Sequence, residues 1–153
     1  MSYQVIITYI LPLFLIPLSA VITQARFLDF GINANLFIAV ISAYVFFIGN
    51  RQVFILSSLL GVLILKFKPA FESVSLSLVI TIMFIFLMRK ILPIFPFVSV
   101  ILISFMSTAL FYLFTNYHFV IDGTYVLFFE SLYNSILSVL FYLFLKLIYE
   151  EER

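Results

Sequence analysis

The chain consists of long hydrophobic runs separated by short groups of charged, proline or glycine residues. Such groups mark helix ends in a bilayer, because a helix needs about 20 apolar residues to cross the hydrocarbon core. The pattern predicts an all-α integral membrane protein, with about six transmembrane helices in one compact bundle over residues 1–153. The predicted spans are residues 3–23, 34–48, 53–65, 73–88, 94–117 and 124–149.

Two of these spans are shorter than a typical crossing helix. Residues 53–65 and 73–88 contain roughly 13 and 16 residues, which is below the usual spanning length. We expect them to tilt in thinned lipid, to extend into their flanking residues, or to be partly re-entrant. In the first span, Pro12 and Pro17 predict a kink at which neighbouring groups satisfy the freed carbonyls.

The composition excludes several classes of protein. With 65% hydrophobic residues and only 10% charged residues, the chain is far too apolar for a soluble globular domain. The absence of cysteine excludes disulfides, thiolate metal sites and iron–sulfur clusters within the chain. The eight basic residues are scattered among short loops and form no nucleic-acid-binding patch.

The distribution of basic residues predicts the orientation. With a cytoplasmic N-terminus, the inner side carries five basic residues and the outer side carries three, which favours both termini inside under the positive-inside rule. The inner set is Arg51, Arg89, Lys90, Lys146 and Arg153, and the outer set is Arg26, Lys66 and Lys68. The outer Lys66 and Lys68 pair is the feature that opposes this orientation.

Small and hydroxyl residues at helical spacing predict the inner faces of the helices. Lipid tails compete with the protein for leucine and phenylalanine, so close backbone approach and interhelical hydrogen bonds must hold such a bundle together. The predicted packing stripes are Ala39 and Ala43, Ser57 and Gly61, Ser73, Ser77 and Thr81, and Ser131, Ser135 and Ser138.

The last span contains the most informative polar residues. Glu130 and Asn134 lie one helical turn apart, and Ser138 continues the same row. A carboxylate in a membrane segment costs about 2.5–3.5 kcal/mol at mid-membrane, so it indicates a functional site by default. Three interpretations remain open at this point: the row fixes the helices of the bundle, faces a protein partner, or lines a ligand or ion cavity. Asn134, which is deeper, is the better candidate for an interhelical hydrogen bond.

No catalytic arrangement is apparent in the sequence. It lacks a Ser/His/Asp set on plausible faces, paired acids in mid-membrane, an H-E-x-x-H motif and a glycine-rich phosphate loop. We therefore predict a non-enzymatic protein without cofactor or metal. Arg51, Arg89 and Lys90 are predicted to anchor the cytoplasmic surface, and contact of Arg89 and Lys90 with phospholipid headgroups is the second interpretation.

Three segments resemble the MreD family of bacterial rod-shape-determining membrane proteins. "ANLFIAVISAYVFFIG" is similar to that family's second span, with Ala34 in place of the usual proline. Gly61 in "LLGVLILKF" falls where the next family glycine is expected, and Asn134 in "SLYNSILSVLFYLFLK" matches an asparagine of the closing helix. The segment "ILKFKPAFES" departs from the family, being basic where an aspartate is usual.

This resemblance implies a membrane scaffold of the cell-wall elongation machinery in the bacterial cytoplasmic membrane. Members of the family bind the bitopic protein MreC and thereby connect MreB filaments with wall synthases such as RodA. The family's bundle is similar to the substrate-binding S subunits of energy-coupling-factor vitamin transporters, which gives the alternative function. A small structural subunit of another membrane complex is the third possibility.

Overall fold

The computed structural model describes residues 6–25, 35–65, 73–92 and 95–150. All regular elements in these ranges are helices, so the predicted all-α class is confirmed. A π-helical turn, Ile6–Ile10, precedes the first α-helix, and a 3-10 turn, Val45–Phe47, continues the second. The α-helices are α1 (Leu11–Gln24), α2 (Leu36–Tyr44), α3 (Arg51–Ile64), α4 (Ser73–Ile91), α5 (Pro96–Thr115), α6 (Tyr117–Asp122) and α7 (Thr124–Glu150).

Helix α2 lies at the centre of the bundle. Every residue from Leu36 to Val45 is buried, and α2 contacts α1, α4, α5 and α7. The other long helices surround it, and α1 packs on α3, α4 on α5, and α5 on α7. A helix that is apolar on all sides is suited to such a fully enclosed position.

Within the part of the chain that the structure describes, three helices are long and apolar enough to cross a membrane: Ser73–Ile91, Pro96–Thr115 and Thr124–Tyr149. The prediction of membrane-spanning helices is confirmed to this extent. The other apolar helices in the described residues, Thr8–Gln24, Leu36–Phe47 and Arg51–Ile64, are shorter.

The ends of α4 and α5 differ from the ends of the predicted spans. Helix α4 continues through Arg89 and Lys90 to Ile91, because long basic side chains can extend to the headgroups while their backbone stays helical. Helix α5 ends at Thr115, two residues before the predicted end at residue 117, and the short helix α6 follows. The charged and polar residues therefore lie close to the helix ends without marking their last residues.

Local chemistry explains how α1 and α3 begin. Pro12, at the second position of α1, cannot donate to the Thr8 carbonyl one turn earlier, and the π-helical turn covers Thr8. Asn50 caps α3, its side chain accepting hydrogen bonds from the backbone N–H groups of Gln52 (2.9 Å) and Val53 (3.3 Å). The turn between α2 and α3 lies close to α1, and a methyl group at Gly49 would lie 2.7 Å from the Thr8 side chain.

Candidate functional site

The polar row of α7 consists of Glu130, Asn134 and Ser138. Each of these side chains is at most 1% exposed, and Ser131 and Ser135 on the same helix are also buried. Helix α7 packs against α5 and α2. The structure therefore brings the five polar residues predicted in the last span to the protein-facing side of α7.

Asn134 joins three helices. Its side-chain amide donates a hydrogen bond to Oγ1 of Thr108 on α5 (3.1 Å), and its side-chain oxygen accepts one from the backbone N–H of Asn35 (2.9 Å). Asn35 is the N-cap residue of α2. A single buried amide thus fixes α7 and α5 relative to the start of the central helix.

The first N–H groups of a helix have no partner within that helix, and leaving them unpaired in a bilayer costs several kcal/mol each. At the start of α2, side chains provide the acceptors. The Asn35 side chain accepts from the Ile38 N–H (3.1 Å), and the Thr23 hydroxyl of α1 accepts from the Phe37 N–H (3.1 Å). Together with Asn134, these groups let α2 begin inside the protein.

The opposite end of the central helix is also tied to α7. The Tyr149 hydroxyl donates to the Phe47 carbonyl (3.0 Å) and lies 3.1 Å from the Tyr44 hydroxyl. The Tyr149 ring also packs on the Phe47 ring, with their centroids 5.0 Å apart. Helix α7 therefore holds α2 at both ends, through Asn134 and through Tyr149.

The serines of α7 connect it directly to α5. The Ser138 hydroxyl hydrogen-bonds the Ser104 hydroxyl (2.7 Å), and the Ser135 hydroxyl lies within 3.3 Å of the Ile101 carbonyl. The Ser131 hydroxyl is buried and has no hydrogen-bond partner. The two longest apolar helices thus pack along a hydroxyl-rich seam, as expected where backbones approach closely in a membrane.

Glu130 lies one turn before Asn134, and its carboxylate accepts a hydrogen bond from the Tyr112 hydroxyl of α5. This contact extends the α5–α7 seam, and it gives the buried carboxylate a protein partner, as buried ionisable groups require.

The Tyr112 contact can be tested by removing one oxygen atom. We expect Tyr112→Phe to lower the free energy of unfolding by about 1–3 kcal/mol, because a buried acceptor loses its donor. Thermal unfolding in detergent micelles would measure the change. Tyr125→Phe is the matched control, since Tyr125 lies on α7, the helix of Glu130, and is 76% exposed. Equal stability losses in the two variants would contradict the assigned contact.

The stripe predicted on α4 is only partly internal. Ser77 and Thr81 are buried, and their hydroxyls donate to the Ser73 and Ser77 carbonyls of the same helix. Ser73 itself is exposed, so its prediction as a packing residue is wrong. It is the first residue of α4, and the buried residues of that helix begin at Ser75.

Gly61 lies where the ring of Phe37 crosses α3. A methyl group at this position would overlap Cε2 of Phe37 and lie 2.8 Å from its Cζ. Only glycine therefore leaves room for the Phe37 ring, which is fully buried. The predicted stripe residues Ser57, Ala39 and Ala43 are buried as well.

The predicted surface anchors lie together at one end of the bundle. Arg51 is the first residue of α3, and Arg89 and Lys90 are in the last turn of α4. Lys146 is at the same end, in a cleft of about 580 Å³ that also contains Gly49 and Pro96. The other predicted loop cations, Arg26, Lys66, Lys68 and Arg153, lie outside the described residues.

The chemistry of the buried row is hydrogen bonding between helices. No group of three or more His, Cys, Asp or Glu side chains in the described ranges could hold a metal ion. The polar atoms of Asn134 and the Ser138 hydroxyl are engaged by other helices. The arrangement can fix helix positions and register.

Sequence reasoning missed the partners of this row. Ser104, Thr108 and Tyr112 of α5 contact the row, but the sequence pattern does not single them out. The same is true of Thr23, which accepts from the Phe37 N–H at the start of α2. Asn35 stands just before an apolar run, and an asparagine in that position is itself a signal for a helix N-cap. The regular spacing of Ser104 and Thr108 on α5 was also visible in the sequence.

In the residues that the structure describes, the fold is all-helical, three helices are long and apolar enough to cross a membrane, and a polar seam joins α5 and α7. Compared with protein families, curated proteins and solved structures, the chain has no match.

Proposed function

We propose that this protein is a non-enzymatic multi-pass scaffold of the MreD kind in the bacterial cytoplasmic membrane, where it binds an MreC-like bitopic partner of the cell-wall elongation machinery. One observation carries most of the weight. The side chains of Asn134 and Ser138 in the α7 row form interhelical hydrogen bonds among α2, α5 and α7. A rigid bundle whose internal polar groups serve its own packing suits a scaffold better than a solute carrier or an enzyme.

In this proposal six helical segments form the membrane bundle, although three of them are short. Helix α2 does not have to face lipid along its length, because it is enclosed by its neighbours and its first N–H groups are satisfied by side chains. Short or irregular segments are tolerated at membrane depth when protein surrounds them. The short helices α1 and α3 pack closely on each other beside it.

The orientation follows from the described basic residues. Arg51, Arg89, Lys90 and Lys146 lie at one end, where α3 and α5 begin and α4 and α7 end. We assign this end to the cytoplasm by the positive-inside rule. Both ends of the chain are then cytoplasmic, as an even number of crossings requires.

The partner helix is proposed to lie along the outer side of α5 and α7. A shallow groove of about 290 Å³ runs there between apolar side chains, which include Phe97, Leu132, Ile136 and Leu140. The small side chain of Ser135 contributes to the groove, and small residues allow the backbone of another helix to approach. No charged residue lines the groove, so an apolar transmembrane helix fits its chemistry.

Site-specific photo-crosslinking in the native membrane tests the partner and its position. A crosslinkable residue at Ile136, which is 52% exposed, is expected to capture an MreC-like single-span protein. The same probe at Leu56 on α3 is the matched control, because that side chain is 53% exposed on a different helix. Mass spectrometry of the products would identify the partner. Capture of paired ATPases and a coupling membrane subunit would instead support the S-subunit function, and equal capture at both positions would contradict the assigned face.

A further inference from the structure

A second apolar groove, on the outer surface between α3 and α4, has a different character. Its volume is about 290 Å³, and its walls include Phe54, Ile55 and Leu59 of α3 and Ile82, Met83 and Phe86 of α4. Ser58 also lines the groove, and its hydroxyl is buried without a hydrogen-bond partner. These two helices make only sparse contact with each other, so a long apolar slot is left open to the bilayer.

Three basic residues stand at one end of this groove. Phe54 and Phe86 line that end and stack with their ring centroids 6.5 Å apart. Arg51 lies one turn from Phe54, and Arg89 lies one turn from Phe86. The Lys90 ammonium is 5.4 Å from the centre of the Phe86 ring, which is within the range of a cation–π contact.

The positive charge at this end is not neutralised by the protein that the structure describes. The guanidinium groups of Arg51 and Arg89 are close enough to repel each other. Lys90 contacts an aromatic ring, and none of the three cations forms an ion pair with an acidic side chain that the structure describes, a set that does not include Glu150, Glu151 or Glu152. An anion bound at this point would reduce the repulsion between the two guanidinium groups and neutralise part of the positive charge.

We infer that the α3–α4 groove is a binding site for an anionic phospholipid, with an acyl chain along the apolar walls and the phosphate between Arg51, Arg89 and Lys90. Charge complementarity distinguishes this occupant from a partner helix. A transmembrane helix usually carries basic residues at its own cytoplasmic end, and these would be repelled by the cluster. Arginine and lysine at the membrane surface attract anionic lipid headgroups.

Native mass spectrometry of the full chain released from detergent micelles tests the site. The probes are dioleoyl phosphatidylglycerol and, for comparison, dioleoyl phosphatidylcholine, which has the same chains and no net charge. We expect the wild type to prefer phosphatidylglycerol. Each cation near the surface is worth about a fivefold change in affinity, so Arg51→Gln should weaken phosphatidylglycerol binding about fivefold and Arg51→Gln/Arg89→Gln about 25-fold.

Two further variants separate a defined site from general attraction. Lys146→Gln removes the same charge at the same end of the bundle, but from a different cleft, and should change the affinity less than twofold. Ser58→Leu fills the groove without removing a hydrogen bond, and should weaken phosphatidylglycerol binding while the melting temperature is retained. Equal binding of the two lipids, an effect of Lys146→Gln as large as that of Arg51→Gln, or unchanged binding by a folded Ser58→Leu variant would each overturn the proposal.

Discussion

Replacing Asn134 by leucine is expected to lower the free energy of unfolding by about 2–4 kcal/mol. The substitution removes the bonds to Thr108 and to the Asn35 N–H. Interhelical hydrogen bonds in membranes contribute about 0.6–2 kcal/mol each, and a buried donor left unpaired costs about 1–3 kcal/mol. Denaturant or thermal unfolding in mild detergent would measure the loss. Because Asn134 connects three helices, we also expect reduced retention of the proposed partner.

The control for this experiment is a residue of the same helix whose buried side-chain hydroxyl makes no hydrogen bond. Ser131→Ala removes a buried hydroxyl without a partner, and should leave the unfolding free energy almost unchanged. If Asn134→Leu and Ser131→Ala had similar stability, the hydrogen bonds of Asn134 would not be what fixes the start of α2.

Replacing Gly61 by leucine is expected to lower the free energy of unfolding by about 1–2 kcal/mol or more. Leucine is a better helix former than glycine by almost 1 kcal/mol, which on its own would stabilise α3. The overlap with the Phe37 ring opposes this gain, and overpacking a tight core costs about 1–3 kcal/mol and sometimes more. The cost of the overlap should exceed the gain in helix propensity. The Phe37 ring is fully buried, and even the Cβ of a side chain at position 61 would overlap it.

A double-mutant cycle identifies the cause of that loss. Phe37→Ala should itself be destabilising, because it leaves a cavity beside Gly61. Combined with Gly61→Leu, it nearly conserves the total side-chain volume, so the double variant should be clearly more stable than the sum of the single losses predicts. Additive losses measured by unfolding in detergent would show that the Phe37 ring is not what excludes a side chain at Gly61.

The α7 row can be recognised in the sequence for a physical reason. Asn134 and Glu130 are strongly polar groups in a helix otherwise suited to lipid, and such groups have no favourable position except against protein or water. The residues that contact them were harder to identify. A serine or threonine in a helix can donate to its own backbone, as Ser77 and Thr81 do, so a hydroxyl in an apolar run does not reveal whether it faces another helix.

The central position of α2 could not be predicted from the sequence either. Lipid-facing and protein-enclosed helices are both apolar on all sides, so hydrophobicity alone did not distinguish α2 from its neighbours. The basic residues Arg89 and Lys90 predict an end of α4 at residue 88, whereas the helix continues to Ile91. The enclosure of α2 depends on which helices surround it, and this is information about contacts far apart in the chain.

The capped, enclosed helix α2 has a consequence for how the protein is made. A segment as short as Leu36–Phe47 falls well below the length that the insertion machinery recognises as a membrane span. Its hydrogen-bond partners Asn134 and Tyr149 belong to α7, which is synthesised after α2. We therefore expect α2 to reach its place only after α7 has entered the bilayer, so that errors in α7 would appear in the cell as misinserted and degraded protein.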